Sequence, residues 1–298
     1  MSTTIAPASV RVRPLSDHIG ADVEGVDLAA LDDASFAAIE HAWSDRLVLR
    51  FRGQHLTDVD LMNFSRRLGK LDRVPIHAAA VEMTEDPRLA IAPEATEYVS
   101  VISNVKIGGK AIGGLGNYES HWHTDMSYND VPPMASALYA IEVPPDGGDT
   151  SFANMYAAYA ALNPATRERI AGLTCIHDAS RNSVGELRRG FADIADPRQT
   201  VGARHPLVRT HPVTGRKCLF LGRRRGAYIP ELPLEEGEAL LDRLWAQAAR
   251  PEFCWTQVWQ AGDLMLWDNR CALHRRDDFD DRHQRIMHRT QIVGDKPY

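Results

Sequence analysis

Trp122-His123-Thr124-Asp125 contains the one histidine of this chain that is followed two positions later by an acid. Far downstream, Trp267-Asp268-Asn269-Arg270 leads to His274, and Arg285 lies eleven residues beyond it. Two histidines and one carboxylate, a pair from one short segment and the third from a distant one, suit the facial triad of non-heme Fe(II) oxygenases. The arginine beyond the third member suits an anion held at the metal, because guanidinium forms a two-pronged bond to a carboxylate.

With 12 histidines and 40 acids in 298 residues, a His-x-acid tripeptide arises by chance roughly once or twice. Read alone it is a surface histidine beside a surface acid. Its surroundings change the weighting. On a strand, residues two apart share a face, so an extended segment would aim His123 and Asp125 at one point and turn Trp122 and Met126 away. Asp263–Asp268 also reads as a strand, followed by a short loop carrying His274. Arg285-Ile286-Met287-His288-Arg289 then alternates, with Arg285, Met287 and Arg289 on one face and Ile286 and His288 on the other.

The rest of the chain reads as many short strands with a few helices. Val10–Leu15, Arg46–Phe51, Ala137–Glu142, Lys217–Leu221, Cys254–Trp259 and Ile286–Val293 have strand patterns. Asp32 or Asp33 opens a helix reaching about Trp43. Thr57 opens a second, with Asp60 three residues on and Gly69 at its end. Tyr156–Leu173 is helical around Asn163-Pro164, and Leu234–Ala249 is a further helix. Val81–Gly116, with Gly108-Gly109 and Gly113-Gly114, reads as a loop beside the site, of a length that lids and binding loops have. No linker, repeat or low-complexity tract divides residues 1–298, which read as a single domain. Strand patterns with metal ligands near strand ends suit a mainly β, jelly-roll type core with helices packed outside. They do not by themselves distinguish it from a β-sandwich.

Composition narrows the function. The chain is 44% hydrophobic and 25% charged, with net charge -6, ordinary for a soluble globular protein and without the basic character of a nucleic-acid binder. No apolar run approaches a membrane span, and the N-terminus lacks a basic segment followed by an apolar one. Cys175, Cys218, Cys254 and Cys271 are scattered, as expected in a reducing cytoplasm. Arg223-Arg224-Arg225 is the local basic exception, either a solvated loop or the border of an anion-binding pocket.

The chain resembles the taurine/alkylsulfonate and aryloxyacetate dioxygenases, which depend on Fe(II) and 2-oxoglutarate. The matching stretches are Trp122–Asp125, Gly147-Gly148-Asp149-Thr150, Arg209–Gly215, Trp267–Arg270 with His274, and Arg285–Arg289 running into Gly294–Pro297. They occur in the family's order from about residue 10 onward. The resemblance implies a double-stranded β-helix (a cupin-like jelly roll), with His123, Asp125 and His274 as Fe(II) ligands. It implies Thr150 and Arg285 as anchors of 2-oxoglutarate, O2 as oxidant, and Arg289 as the partner of an acidic primary substrate. Other candidates at the substrate are His77, Tyr118, Asn182 and Ser183. Asp268 and Asn269 are expected to hold the loop that presents His274.

The reaction so implied hydroxylates a C–H of a small organic anion (a sulfonate, sulfate ester or aryloxyalkanoate) while 2-oxoglutarate becomes succinate and CO2. A hydroxylated carbon bearing a sulfonate or ether oxygen then collapses to a carbonyl compound. Metal ligation needs neutral imidazole, so activity should fall at acid pH. The segment Arg73–Ala80 around His77 lacks the tyrosine that taurine recognition wants, which sets taurine itself apart. Other readings are a hydroxylase of an amino-acid derivative without cleavage, or a silent cupin-like binding module. Self-association into a homo-oligomer is left open.

Overall fold

The computed structural model describes residues 10–74, 84–118 and 120–298. Among them, the larger sheet has eight strands. Their order is Arg11–Pro14, Ala21–Glu24, Val48–Phe51, Leu264–Asp268, Ala135–Glu142, Ile286–Ile292, Ser100–Ser103 and Gly114–Leu115. The smaller sheet has four, in the order Cys254–Gln257, Thr150–Asn154, Ala272–Arg276 and Ser120–His123. Pairing is antiparallel throughout the smaller sheet and at the centre of the larger, and parallel only where Ala21–Glu24 meets Val48–Phe51 and Ser100–Ser103 meets Gly114–Leu115. The two sheets enclose one core, the arrangement of a double-stranded β-helix.

Period-two alternation separates the layers. In Leu264–Asp268, Leu264 and Leu266 pack with the helices, whereas Met265 and Trp267 face the smaller sheet. Ala135 and Ala137 join the helix side, and Leu138 and Ala140 the inner side. The helix layer is Asp33–Arg46 and Asp58–Leu68, whose Phe36, Ile39, Trp43, Leu61 and Phe64 cover the outer face of the large sheet. Both helices start as their sequences dictate. The Asp32 carboxylate accepts from Ser35 N–H at 2.7 Å. Thr57 and Asp60 form a reciprocal capping box, each cap worth about 1 kcal/mol.

Two readings of the sequence are corrected by these pairings. His274 sits within the strand Ala272–Arg276, not in a loop. The described part of 81–116 is not loop throughout, because Ser100–Ser103 pairs with Ile286–Arg289 in the large sheet. Both strands are short and mix polar with apolar residues, so their own patterns are weak; pairing with a neighbour makes them strands. Thr150–Asn154, also unread from its pattern, is buried along its whole length between two partners.

Candidate active site

His274 and His123 are direct cross-strand partners in the smaller sheet. Their ring centroids lie 4.1 Å apart. The strand carrying His123 ends at that residue, and Asp125 lies in the turn that follows. The shared face of His123 and Asp125 therefore does not come from strand alternation, as the sequence suggested; the turn curls the carboxylate back. Asp125 Oδ1 ends 3.6 Å from His123 Nε2 and 3.7 Å from His274 Nε2. One ligand-type atom from each of the three lies within 4.8 Å of the others.

Hydrogen bonds hold His123 and Asp125 in a metal-ready form, while His274 Nδ1 has no hydrogen-bond partner among the described residues. His123 Nδ1–H donates to the His121 carbonyl at 2.7 Å. A carbonyl only accepts, so the neutral ring keeps its Nε2 lone pair free. Asp125 Oδ2 accepts from Ser136 Oγ at 2.8 Å and from Gln291 Nε2 at 3.4 Å, which leaves Oδ1 toward the histidines. The turn itself is clamped by Asn269, whose Oδ1 accepts from Asp125 N–H at 2.8 Å and whose Nδ2 donates to the Asp125 and Pro133 carbonyls, both at 2.9 Å. Thr124 N–H donates to the Gly222 carbonyl at 2.9 Å.

Electrostatics agree with this geometry. Burial alone would raise the Asp125 carboxyl, but Arg289, whose Nη1 lies 3.6 Å from Oδ1, together with His274 and His123 holds it well below the ordinary carboxylate range. Burial is also the main force on His274, pushing it down to about 3. Protonation of this ring therefore begins to compete with a metal only far below neutral pH, lower than an ordinary histidine would allow. A second group of metal-type side chains, His211, Asp268 and Cys271, also lies close together. Its ligand atoms are already spent. His211 Nε2 donates to Asp268 at 3.0 Å, its Nδ1 accepts from Val213 and Thr214 N–H, and Arg270 grips Asp268 from the other side.

Between the sheets, the His–Asp–His cluster opens on a small cavity lined also by Ile102, Leu138, Thr150, Trp267, Arg285 and Arg289. Arg285 is only 2% exposed, and its Nε has no hydrogen-bond partner. Among the described residues no ion pair joins it to a carboxylate; Asp149 acts on it only at longer range. Burial, with the like charge of Arg276, disfavours its charged form strongly. A buried cation in this state is completed by an incoming anion. Gly148, at φ +69°, makes room for the Arg285 side chain: a Cβ there would stand 3.3 Å from Arg285 Cδ. Thr150 Oγ accepts from Trp259 Nε1 at 3.0 Å, leaving its own O–H to donate.

Arg289 lines the same cavity, on the inner face with Arg285 and Met287, and its Nε is likewise without a partner. The remaining substrate candidates stand elsewhere. The Tyr118 side chain is 62% exposed, and its carbonyl accepts from Arg276. Asn182 spends its amide on Glu186 and on the N–H groups of its own turn. Ser183 is buried, and its carbonyl accepts from His121 N–H. His77 lies outside the described residues. Sequence reasoning missed Ser136, Gln291 and Arg276. Each carried a signal. Ser136 is a polar residue at an inward position of a mostly apolar strand, Gln291 continues the Arg285–Arg289 alternation, and Arg276 is two residues beyond His274.

The family model "Taurine catabolism dioxygenase TauD, TfdA family" matches residues 11–291. The chain belongs to this family. It is a 2-oxoglutarate-dependent dioxygenase. Over 294 residues it is 33% identical to the (S)-phenoxypropionate/alpha-ketoglutarate-dioxygenase of Delftia acidovorans, covering 96% of both chains. It is 34% identical to the alpha-ketoglutarate-dependent 2,4-dichlorophenoxyacetate dioxygenase of Cupriavidus pinatubonensis, covering 96% of this chain and 99% of that one. Among solved structures, a taurine dioxygenase from Burkholderia xenovorans superposes with TM-score 0.74 at 32% identity, covering 97% of this chain and 92% of the other. Among the described residues of the dioxygenase, no helix is long and apolar enough to cross a membrane.

Asn269 gives this dioxygenase a test of its clamp. Asn269→Ala removes both bonds to the Asp125 backbone, and loss of an outer contact of this kind costs about 10–100-fold in metal affinity. Calorimetric titration of the purified variant with Co(II) should show that loss with the fold retained. An unchanged affinity would mean that the turn holds its shape without Asn269.

Proposed function

We propose that the protein hydroxylates a C–H bond of a small organic anion, using Fe(II) held by His123, Asp125 and His274, with 2-oxoglutarate and O2 as cosubstrates. The carrying observation is a pair of arginines with unsatisfied Nε groups, the buried Arg285 and the half-buried Arg289, lining one cavity beside the His–Asp–His cluster. The residues fit the metal, with two imidazole nitrogens and one carboxylate oxygen turned to one point, the His123 ring and the Asp125 carboxylate oriented by their hydrogen bonds. When bound, the iron and 2-oxoglutarate supply the oxidising chemistry, and succinate and CO2 leave as one oxygen atom enters the substrate.

The protein's part is orientation and charge. Arg285 and the Thr150 hydroxyl match the distal carboxylate of 2-oxoglutarate, a two-pronged cation beside a neutral donor. Trp267, Ile102 and Leu138 wall the cavity with apolar surface and limit water. Arg289 stands nearer the cluster and is left for the acid group of the primary substrate. That assignment favours a sulfonate, sulfate ester or aryloxyalkanoate whose reacting C–H is a few bonds from its acid. Relatives that act on 2,4-dichlorophenoxyacetate, phenoxypropionate and sulfate esters carry names that agree with this class.

Succinate formation screened across sulfonates, sulfate esters, aryloxyalkanoates and acylated amino acids tests the proposal. An anionic substrate of the first three groups is expected to give the highest turnover. Arg289→Gln should then raise KM for that substrate by about 10-fold or more, the size of one charge-assisted bond, and uncouple oxygen use from product. The constant for 2-oxoglutarate should stay nearly unchanged. A neutral best substrate would overturn the role of Arg289.

A further inference from the structure

A second, larger cavity lies on the other side of the strand that carries His123. Its volume is about 380 Å³, against about 40 Å³ for the cavity at the His–Asp–His cluster. The separation arises from an irregularity in pairing. His123 pairs with His274 and Ser120 with Arg276, so three steps along one strand match two along its partner. This bulge turns Ser120 and His123 toward the cluster and leaves His121 and Trp122 to the second cavity.

The walls of this cavity are Trp122 and Trp245, with arginines around them and no acidic residue among its described lining. Two of those arginines are already neutralised, Arg181 by Asp193 and Arg224 by Glu238 and Asp242. Arg223 is not. It is 9% exposed, donates through one Nη to the Arg181 carbonyl, and leaves its Nε without a partner. The Trp245 indole, 8% exposed, likewise has an unpartnered Nε1–H. Arg225 is exposed at the mouth, and no ion pair engages it among the described residues.

Two buried donors without hydrogen-bond partners, on side chains that line one cavity beside an exposed cation and two indoles, define what completes them. A buried indole N–H normally finds an acceptor, and a buried guanidinium is costly without an anion. Apolar aromatic walls favour a flat apolar body, and the volume is within the range of small-molecule sites. We propose that this cavity is a second binding site, for an aromatic carboxylate of one or two rings, distinct from the cavity at the metal cluster. Its carboxylate meets Arg223 and the Trp245 indole N–H, and its ring lies between the tryptophans. The site adjoins the metal cluster through backbone, because Arg223 bridges His123 and the Gly222 carbonyl holds Thr124, and through the Arg223 charge, which acts on His274 and Asp125.

The test is equilibrium titration of the full chain with 2-naphthoate, read by quenching of tryptophan fluorescence, and it needs neither metal nor turnover. Saturable quenching is expected. Arg223→Gln should weaken it about tenfold or more, as for a hydrogen bond to a charged group, and Trp245→Phe, which keeps the ring and loses the N–H, should weaken it by a smaller factor. Arg225→Gln, at an exposed position where folding is not at risk, should also weaken binding. Arg285→Ala and Arg289→Gln should leave it unchanged. No saturation into the millimolar range would overturn the site. So would loss of binding in Arg285→Ala or Arg289→Gln with Arg223→Gln, Arg225→Gln and Trp245→Phe unaffected, which would put the acid in the metal cavity.

Discussion

Asp125→Ala is expected to purify as a folded protein that takes up no stoichiometric Fe(II) and forms no succinate. Asp125 supplies the one negative charge among the three clustered side chains, and the Arg289 guanidinium lies 3.6 Å from its Oδ1. Removing the carboxylate leaves two imidazoles facing that cation, so a divalent ion loses its counter-charge and meets repulsion instead. The fall in affinity should exceed the roughly 10–100-fold that loss of a surrounding hydrogen bond produces. His123→Ala and His274→Ala are expected to lose metal and turnover in the same way. Anaerobic Fe(II) titration, with the visible band of the complex with 2-oxoglutarate as second readout, measures it. Full iron binding by any one of the three variants would remove that residue from the triad. Absence of the band in the unaltered protein would favour a silent binding module.

Arg285→Ala should weaken 2-oxoglutarate far more than the primary substrate. Truncating one partner of a buried charge pair costs on the order of 2–5 kcal/mol, or roughly 30-fold and upward in affinity. Arg285 meets the conditions for the upper part of that range, being 2% exposed with no ion-paired carboxylate of its own among the described residues. Arg285→Lys should recover only part of the loss, because an ammonium cannot make the two-pronged bond. The apparent constant for 2-oxoglutarate, measured at saturating primary substrate, carries the test. A constant equal to that of the unaltered enzyme would assign the anchoring to another cation, with Arg276 the neighbour to examine.

Much of this site could be read along the chain because its chemistry is sparse. A single His-x-acid tripeptide, a distant histidine and an alternating Arg285–Arg289 segment name the residues that the structure gathers between the sheets. The helix starts at Asp32 and Thr57 were equally legible, since a cap depends on residues within three positions of one another. The strands Thr150–Asn154 and Ala272–Arg276 were not. Their patterns are short and mixed, and their extended form is fixed by neighbours that come from more than a hundred residues away.

Residue chemistry along the chain was enough to single out His123, Asp125 and His274, the inward face shared by Arg285, Met287 and Arg289, and the reaction class. Those depend on side-chain chemistry and on the two-residue repeat of a strand. How Asp125 is presented follows from packing between distant segments. Its strand ends at His123, so alternation does not reach it; Asn269 closes the turn, and Ser136 and Gln291 occupy Oδ2 from two other strands. Hydrogen bonds across 144, 11 and 166 positions of chain leave no local pattern. They exist because packing two sheets face to face brings the ends of separate strands within 2.8 to 3.4 Å of Asp125.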